Sequence, residues 1–211
     1  MSEHYFSPHK DTDTNDLGKL RDVHVAYRGQ DLNLVAGDKV FSASEVDLGT
    51  EQLLHKAPPL PHAGTFLDVG CGWGPVALTM AAESPDATVW AVDVNERALA
   101  LTRINAQRAR LDNLRILEAA VALEEARQSG TRFDVIWSNP PIRIGKTSLQ
   151  SLLLEWLDLL AEQGVAYLVV NRHLGADSLA KWLDDQGFVV SRLASRKGFR
   201  ILEVSRGKDR T

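Results

Sequence analysis

With a single cysteine, Cys71, the 211-residue sequence cannot be stapled by an internal disulfide. Six histidines (His4, His9, His24, His55, His62 and His173) show no metal-ligand spacing, such as a pair one helical turn apart, and no structural metal is expected. Long apolar runs are missing too: nowhere do eighteen apolar residues stand together, so no membrane span is expected. The opening stretch, MSEHYFSPHKDTDTND, is polar and acidic and lacks the charged-then-apolar layout of a signal peptide, which points to a cytoplasmic protein. Nor is there an excess of positive charge. The formal net charge of −4 argues against a protein that coats nucleic acid through electrostatics alone.

What is present suits one compact α/β unit with a sizeable core: 44% of residues are hydrophobic and 25% charged. Charge is unevenly spread. Acidic residues crowd the first fifty positions, whereas Arg192, Arg196, Lys197, Arg200, Arg206, Lys208 and Arg210 near the end face only Glu203 and Asp209. These cations either form a basic face or are solvated strand and tail charges.

From Thr65 onward, short β-branched or apolar runs alternate with helix-like segments, the pattern of an open parallel sheet covered on both faces. The strand candidates are TFLDVG at Thr65, TVWAVDV at Thr88, LRILEA at Leu114, FDVIWSN at Phe133, VAYLVVN at Val165, FVVSRLA at Phe188 and FRILEVS at Phe199. Between them PVALTMAAES, ERALALTRINAQRARL, the segment around LEEARQ, TSLQSLLLEWLDLLAEQ and DSLAKWLDDQ have helical composition. Only SRKG separates the last two strands, which predicts an antiparallel hairpin at a sheet edge. Upstream, VHVAYRG and LNLVAGDKVFS read as strands and LGTEQLLHKA as a short helix. Residues 1–62 are thus an N-terminal extension packed on the main unit, residues 63–211. The five tryptophans, Trp73, Trp90, Trp137, Trp156 and Trp182, fall mostly on core positions, with Trp73 the one placed to meet a ligand.

The segment DVGCGWGP, Asp68 to Pro75, lies where the first parallel strand passes into a helix, the place where open α/β sheets bind nucleotides. Gly70, Gly72 and Gly74 allow a sharp turn and close approach to a ligand, with Cys71 a small residue between them. A cysteine nucleophile for carbon methylation would be expected at the end of the fourth strand instead. The spacing is G-x-G-x-G with Asp68 two positions before the first glycine, not the G-x-G-x-x-G of dinucleotide binders. It resembles the S-adenosylmethionine (SAM) loop of class I methyltransferases, in which that acidic residue lies near the methionine part of the cofactor. Asp93, followed by Val94, ends the next strand where ribose hydroxyls are read. After the third strand Glu118 is close to where a contact to the adenine is usual, but ILEAAVA offers no clean match.

At the end of the fourth strand stands SNPPIRIGK. Asn139, Pro140, Pro141 and Ile142 match the N-P-P-(aromatic or apolar) motif of methyltransferases that act on planar exocyclic amines. Such an amine is a weak nucleophile because its lone pair is delocalised into the ring. The Asn139 side-chain carbonyl and the Pro140 main-chain carbonyl can accept its two N–H bonds and aim the lone pair at a methyl donor. Consecutive prolines stiffen that geometry, and no catalytic base is required because the cationic product sheds its proton. The string GKT at Gly145 is not a phosphate loop, since Pro140 stands where that motif needs glycine. Arg143 and Lys146 read instead as cations beside the acceptor pocket.

Taken together, HYFS at His4, KVFSASEVDLGT at Lys39, DVGCGWGP at Asp68, VDVNERALAL at Val92, SNPPIRIGK at Ser138 and GFRILEV at Gly198 resemble the small-subunit ribosomal RNA guanine-N2 methyltransferase family (RsmC-like), in its short single-domain form. The resemblance implies a Rossmann-like class I methyltransferase fold, a mostly parallel seven-stranded sheet with an antiparallel C-terminal hairpin. It implies SAM as cofactor, N2 of a guanine in ribosomal RNA as acceptor, and Phe41, Asp47, Gly49 and Thr50 lining the cofactor and acceptor side. Ile142 departs from the aromatic that many N-P-P enzymes stack on the base, so stacking would fall to another residue, with Phe41 and Phe6 as candidates. Longer members carry a degenerate second domain for which this chain has no room, so RNA contact would rest on the extension and on Arg196, Lys197 and Arg200 of the terminal hairpin of a monomer. The same acceptor pair would also suit a protein glutamine or a small-molecule amine, and a SAM-binding protein without catalysis is the remaining alternative.

Overall fold

The computed structural model describes residues 19–38, 40, 45–141 and 144–207. A two-stranded antiparallel sheet comes first, β1 (Leu20–Tyr27) and β2 (Gln30–Gly37), paired from Tyr27–Gln30 to Leu20–Gly37. Its turn, Arg28-Gly29, has positive φ at both positions, 57° and 77°, which matches the twist of paired strands. Arginine seldom adopts that backbone, and the guanidinium interactions offset the cost. Arg28 pairs with Glu83, donates to the carbonyl oxygens of Leu54 (3.2 Å), Ala57 (2.7 Å) and Pro58 (2.7 Å), and sits 5.0 Å over the Trp137 ring. One side chain thereby ties the hairpin tip to the main body.

The main sheet has seven strands: β3 (Ala63–Val69), β4 (Asp86–Asp93), β5 (Leu114–Glu118), β6 (Phe133–Ser138), β7 (Leu160–Asn171), β8 (Phe188–Arg196) and β9 (Phe199–Arg206). Their order is β5-β4-β3-β6-β7-β9-β8, parallel from β5 to β7, with β9 antiparallel to both its neighbours. Buried strand residues alternate between two cores. Leu67, Val69, Trp90 and Ile136 pack under α4 (Ala119–Ser129), α5 (Lys146–Leu157) and α6 (Ala176–Asp185). Phe66, Val89, Val135 and Trp137 pack under α1 (Leu48–Lys56), α2 (Pro75–Glu83) and α3 (Glu96–Ala109). The β1–β2 hairpin buries Val25 and Leu34 in a third cluster with Trp73, Leu78 and Leu101. Among the described residues no helix is long and apolar enough to cross a membrane, and no group of His, Cys, Asp or Glu is arranged to hold a metal.

The seven strands expected from Thr65 onward all form, as does the hairpin turn at the C-terminal end. One helix is shorter than expected. The apolar spacing of TSLQSLLLEWLDLLAEQ predicts a helix over 147–163, yet α5 ends at Leu157 and Leu160 already pairs with Phe133. The chain then bulges before Val165 pairs with Val135. Gly164 explains the bulge: a Cβ there would come within 2.5 Å of the Phe133 carbonyl oxygen, so this segment is pressed onto β6.

Candidate active site

Strand order reverses at β3, which has β4 on one side and β6 on the other. A crevice therefore opens beyond the C-terminal ends of these strands. It holds a cavity of about 480 Å³, within the usual range for a small-molecule site.

The glycine loop forms one wall. Gly70 and Gly72 have φ of +77° and +58°, and a Cβ at either would meet no atom within 4 Å, so their open sides leave room for a ligand against the backbone. Behind, the loop is pinned. Gly70 and Cys71 donate to the Val92 carbonyl (2.9 and 3.0 Å), and the Thr102 hydroxyl donates to that of Gly72 (2.9 Å). Buried Asn105 accepts from the Val35 amide (2.7 Å) and donates to the carbonyls of Val35 and Trp73 (both 2.8 Å), clamping β2 to the loop. Gly74 caps α2 rather than facing the cavity.

Two carboxylates sit under this wall. Asp68 is buried and accepts from the Ala77 amide at 3.0 Å. Burial pushes its pKa up to about 8; the Ala77 N–H opposes the shift and neighbouring Asp93 adds to it. Asp93 accepts from the amides of Gly72 and Asn95 (both 2.9 Å), and burial raises its pKa against those donors. Two desolvated carboxylates lining one cavity suit a ligand with positive charge, as the ammonium and sulfonium of SAM provide. Burial, with Asp93 and Asp68 adding, also raises the pKa of the Cys71 thiol well above its ordinary value, which disfavours a thiolate nucleophile.

The Asn-Pro-Pro segment follows the neighbouring strand, where Ser138 pairs with Val69, and lines the same cavity. The Asn139 Nδ2 donates to the Asp47 carboxylate and, at 3.1 Å, to the Thr50 hydroxyl. Because a carboxylate only accepts, the NH₂ end of the amide must face Asp47, and the carbonyl end is left to accept. Asp47 itself caps α1, accepting from the amides of Gly49 (3.0 Å) and Thr50 (2.9 Å). The helix can approach this closely because residue 49 is glycine. A Cβ there would lie 3.3 Å from Asn139 Nδ2 and 3.0 Å from the Phe199 ring.

Of the residues singled out in the sequence, Asp47, Thr50, Asp68, Gly70, Cys71, Gly72, Asp93, Val94, Asn139, Pro140 and Pro141 line the cavity. Gly49 backs Asn139 from behind. Lys146 opens α5, exposed and outside the lining. Exposed Arg196 ends β8, Lys197 pairs with Glu51 at 3.3 Å, and the largely buried Arg200 side chain pairs with Asp177. Phe6, Phe41, Ile142 and Arg143 lie outside the described residues. Glu118 caps α4 through the Val121 amide (3.0 Å), and its neighbour Ala119 is the residue that reaches the cavity. Trp73 lines the cavity while packed against the hairpin. Sequence reasoning missed Asn171, Leu174 and Phe199, which complete the rim on the β7 and β9 side. Phe199 does stand within the GFRILEV string, but nothing in its spacing marks it as more than a strand residue.

An open α/β sheet whose order reverses at a glycine loop, with two acidic residues and Asn-Pro-Pro lining the same cavity, defines a SAM-dependent methyltransferase of class I. The chain belongs to the methyltransferase small domain family, whose model matches residues 31–203, and its methyl donor is SAM. Over its whole length it is similar to the uncharacterized protein YbxB of Bacillus subtilis, at 31% identity across 98% of this chain and 100% of that one. It is also similar to the ribosomal RNA small subunit methyltransferase C of Shewanella denitrificans, at 34% identity over 64% of this chain but only 38% of that protein. This chain therefore matches well under half the length of that relative. Among solved structures, the Thermus thermophilus 16S rRNA N2 G1207 methyltransferase (RsmC), in complex with AdoMet and guanosine, shares the fold. The TM-score is 0.72 at 22% identity, over 89% of this chain and 50% of that one.

Proposed function

We propose that this protein transfers a methyl group from SAM to an exocyclic amine of a nucleobase, with N2 of a guanine in ribosomal RNA as the acceptor. The observation that carries this is the Asn139 amide, turned by Asp47 and Thr50 so that its carbonyl end is left to accept within a cavity that the glycine loop also lines. Asp68, Asp93 and the backbone of Gly70 and Gly72 hold the cofactor, which supplies an electrophilic methyl group when bound. The Asn139 Oδ1 and the Pro140 carbonyl accept the two N–H bonds of the amine, so its lone pair points across the cavity. Pro140 is buried and preset in φ, so little ordering is left to the moment of reaction. Residues 63–211 form the catalytic unit, and the extension, residues 1–62, contributes Asp47 and Thr50 to its acceptor side. The similarity to ribosomal RNA methyltransferases supports RNA as the partner, and the exposed Arg196 beside the rim suits a phosphate.

Incubation with labelled SAM and total RNA or small ribosomal subunits, followed by nucleoside analysis, tests this directly. N2-methylguanosine that disappears in Asn139→Ala is expected. Label in protein or small molecules with RNA blank would overturn the nucleobase acceptor in favour of a glutamine or a small amine.

A further inference from the structure

We infer that Phe199 is the aromatic face on which the acceptor base stacks, a substrate-positioning role that rests on the function proposed above. The sequence places isoleucine at position 142, where N-P-P enzymes with an aromatic there obtain their stacking surface. A planar amine held only by its two N–H bonds is free to tilt about the line joining Asn139 and Pro140, so the transfer geometry needs a surface that fixes the ring plane. Phe199 supplies it from another element. It opens β9, lines the same cavity as Asn139 and Pro140, and is half-buried, so part of the ring is open.

Its position is tied to the acceptor side of the cavity. The point where a Gly49 Cβ would stand lies 3.0 Å from Phe199 Cε1 and 3.3 Å from Asn139 Nδ2, so the ring and the amide flank the same helix turn. The strand end is fixed from two sides: the Gly198 carbonyl accepts from the Arg172 amide (2.8 Å), and Lys197 reaches Glu51 on α1 (3.3 Å). Leu174, exposed at the rim of the same cavity, adds a second apolar surface where a base would enter. Aromatic stacking of a nucleobase is tolerant of base identity and needs the flat π-face rather than apolar bulk.

Steady-state kinetics on small ribosomal subunits, with SAM affinity measured separately by calorimetry, test the assignment on Phe199→Ala, Phe199→Leu and Phe199→Tyr. Removing the ring should raise the acceptor KM by about 10- to 100-fold while the SAM Kd stays within about two-fold. Tyrosine should stay close to wild type, and leucine, of similar bulk but without a π-face, should resemble alanine. Wild-type behaviour of the leucine variant would overturn the inference, as would a SAM Kd that weakens in step with the acceptor KM, since the ring would then merely shape the cavity. The unchanged SAM affinity also reports that each variant is folded. If wild-type protein labels RNA and Phe199→Ala does so equally well, only this inference falls. If wild-type protein labels no RNA, the proposed function falls and this inference with it.

Discussion

The Asn139 side chain donates to the carboxylate of Asp47, a residue that precedes it by 92 positions and caps α1. That contact decides which end of the Asn139 amide is left to accept. Asp47→Ser should keep the helix cap yet lose the reach to Asn139, so kcat should fall about 10- to 100-fold with SAM affinity little changed. In a double-mutant cycle with Asn139→Ala, the second substitution should cost little beyond the first. Penalties that simply multiply would show that the two side chains act independently.

Asp68 should release a proton when SAM binds. With its carboxyl pushed up to about 8, it is largely protonated at pH 7 in the empty protein, and a cationic ligand favours the ionised form. Calorimetry in buffers of differing ionisation enthalpy should find about half to one proton released near pH 7, fading above pH 9. Binding with no proton release at pH 7 would refute the coupling.

The same group should trade stability for binding. A carboxyl whose pKa rises on folding from 3.8 to about 8 makes its full contribution below the lower value and loses it as pH climbs to the upper one. Asp68→Asn keeps an acceptor for the Ala77 amide without the buried charge. Its stability advantage over wild type should therefore grow between about pH 4 and pH 8 and then level off, while SAM affinity drops. Urea midpoints across that range decide it.

Asn105 bridges the hairpin and the glycine loop with three hydrogen bonds from one fully buried side chain. Asn105→Ala orphans a donor and two acceptors and should destabilise the fold by roughly 2–5 kcal/mol. Because one lost bond is to Trp73 in the loop, SAM affinity should weaken as well. An unaltered Kd in the folded variant would confine the clamp to a structural role.

Arg28→Lys should cost about 3 kcal/mol, since a single ammonium cannot serve Glu83 and three carbonyls at once. Burial raises the Glu83 pKa, but its hydrogen bonds from Arg28 and the Leu60 amide prevail and hold the carboxyl below its usual range. The stability contributed by that ionised pair is present above the ordinary carboxylate pKa and lost as pH falls through the depressed one. The gap between variant and wild type should therefore narrow on acidification, as pH-dependent denaturation would show.

Most of the cavity lining was legible because its two main strings are local in sequence. Asp68 to Gly74 and Asn139 to Pro141 are continuous strings at strand ends, and alternation located those ends. The partners that orient them are not local. Nothing near Asp47 announces that its carboxylate meets Asn139, and Phe199 reaches the rim only because β9 inserts between β7 and β8. Leu159 and Leu160 misled for a related reason: their spacing continues a helical face, but they lie at the start of β7, held against Phe133 of β6. Lys197 and Arg200 look like exposed cations in the sequence, yet Glu51 and Asp177 engage them from other elements.

The antiparallel hairpin at the end of the chain leaves β8 as a nine-residue outermost strand, with one row of backbone groups unpaired within the sheet. Such a row is a template for any other extended chain. Here the ladder slips between Arg192 and Ala194, which bends the strand out of a flat register, and Arg192 and Arg196 add like charge on either side of the slip. At the other margin β5 is only five residues long. Both flanks of the sheet are thus built to discourage strand addition from a second molecule, which protects the protein from edge-to-edge aggregation without the need for a covering helix.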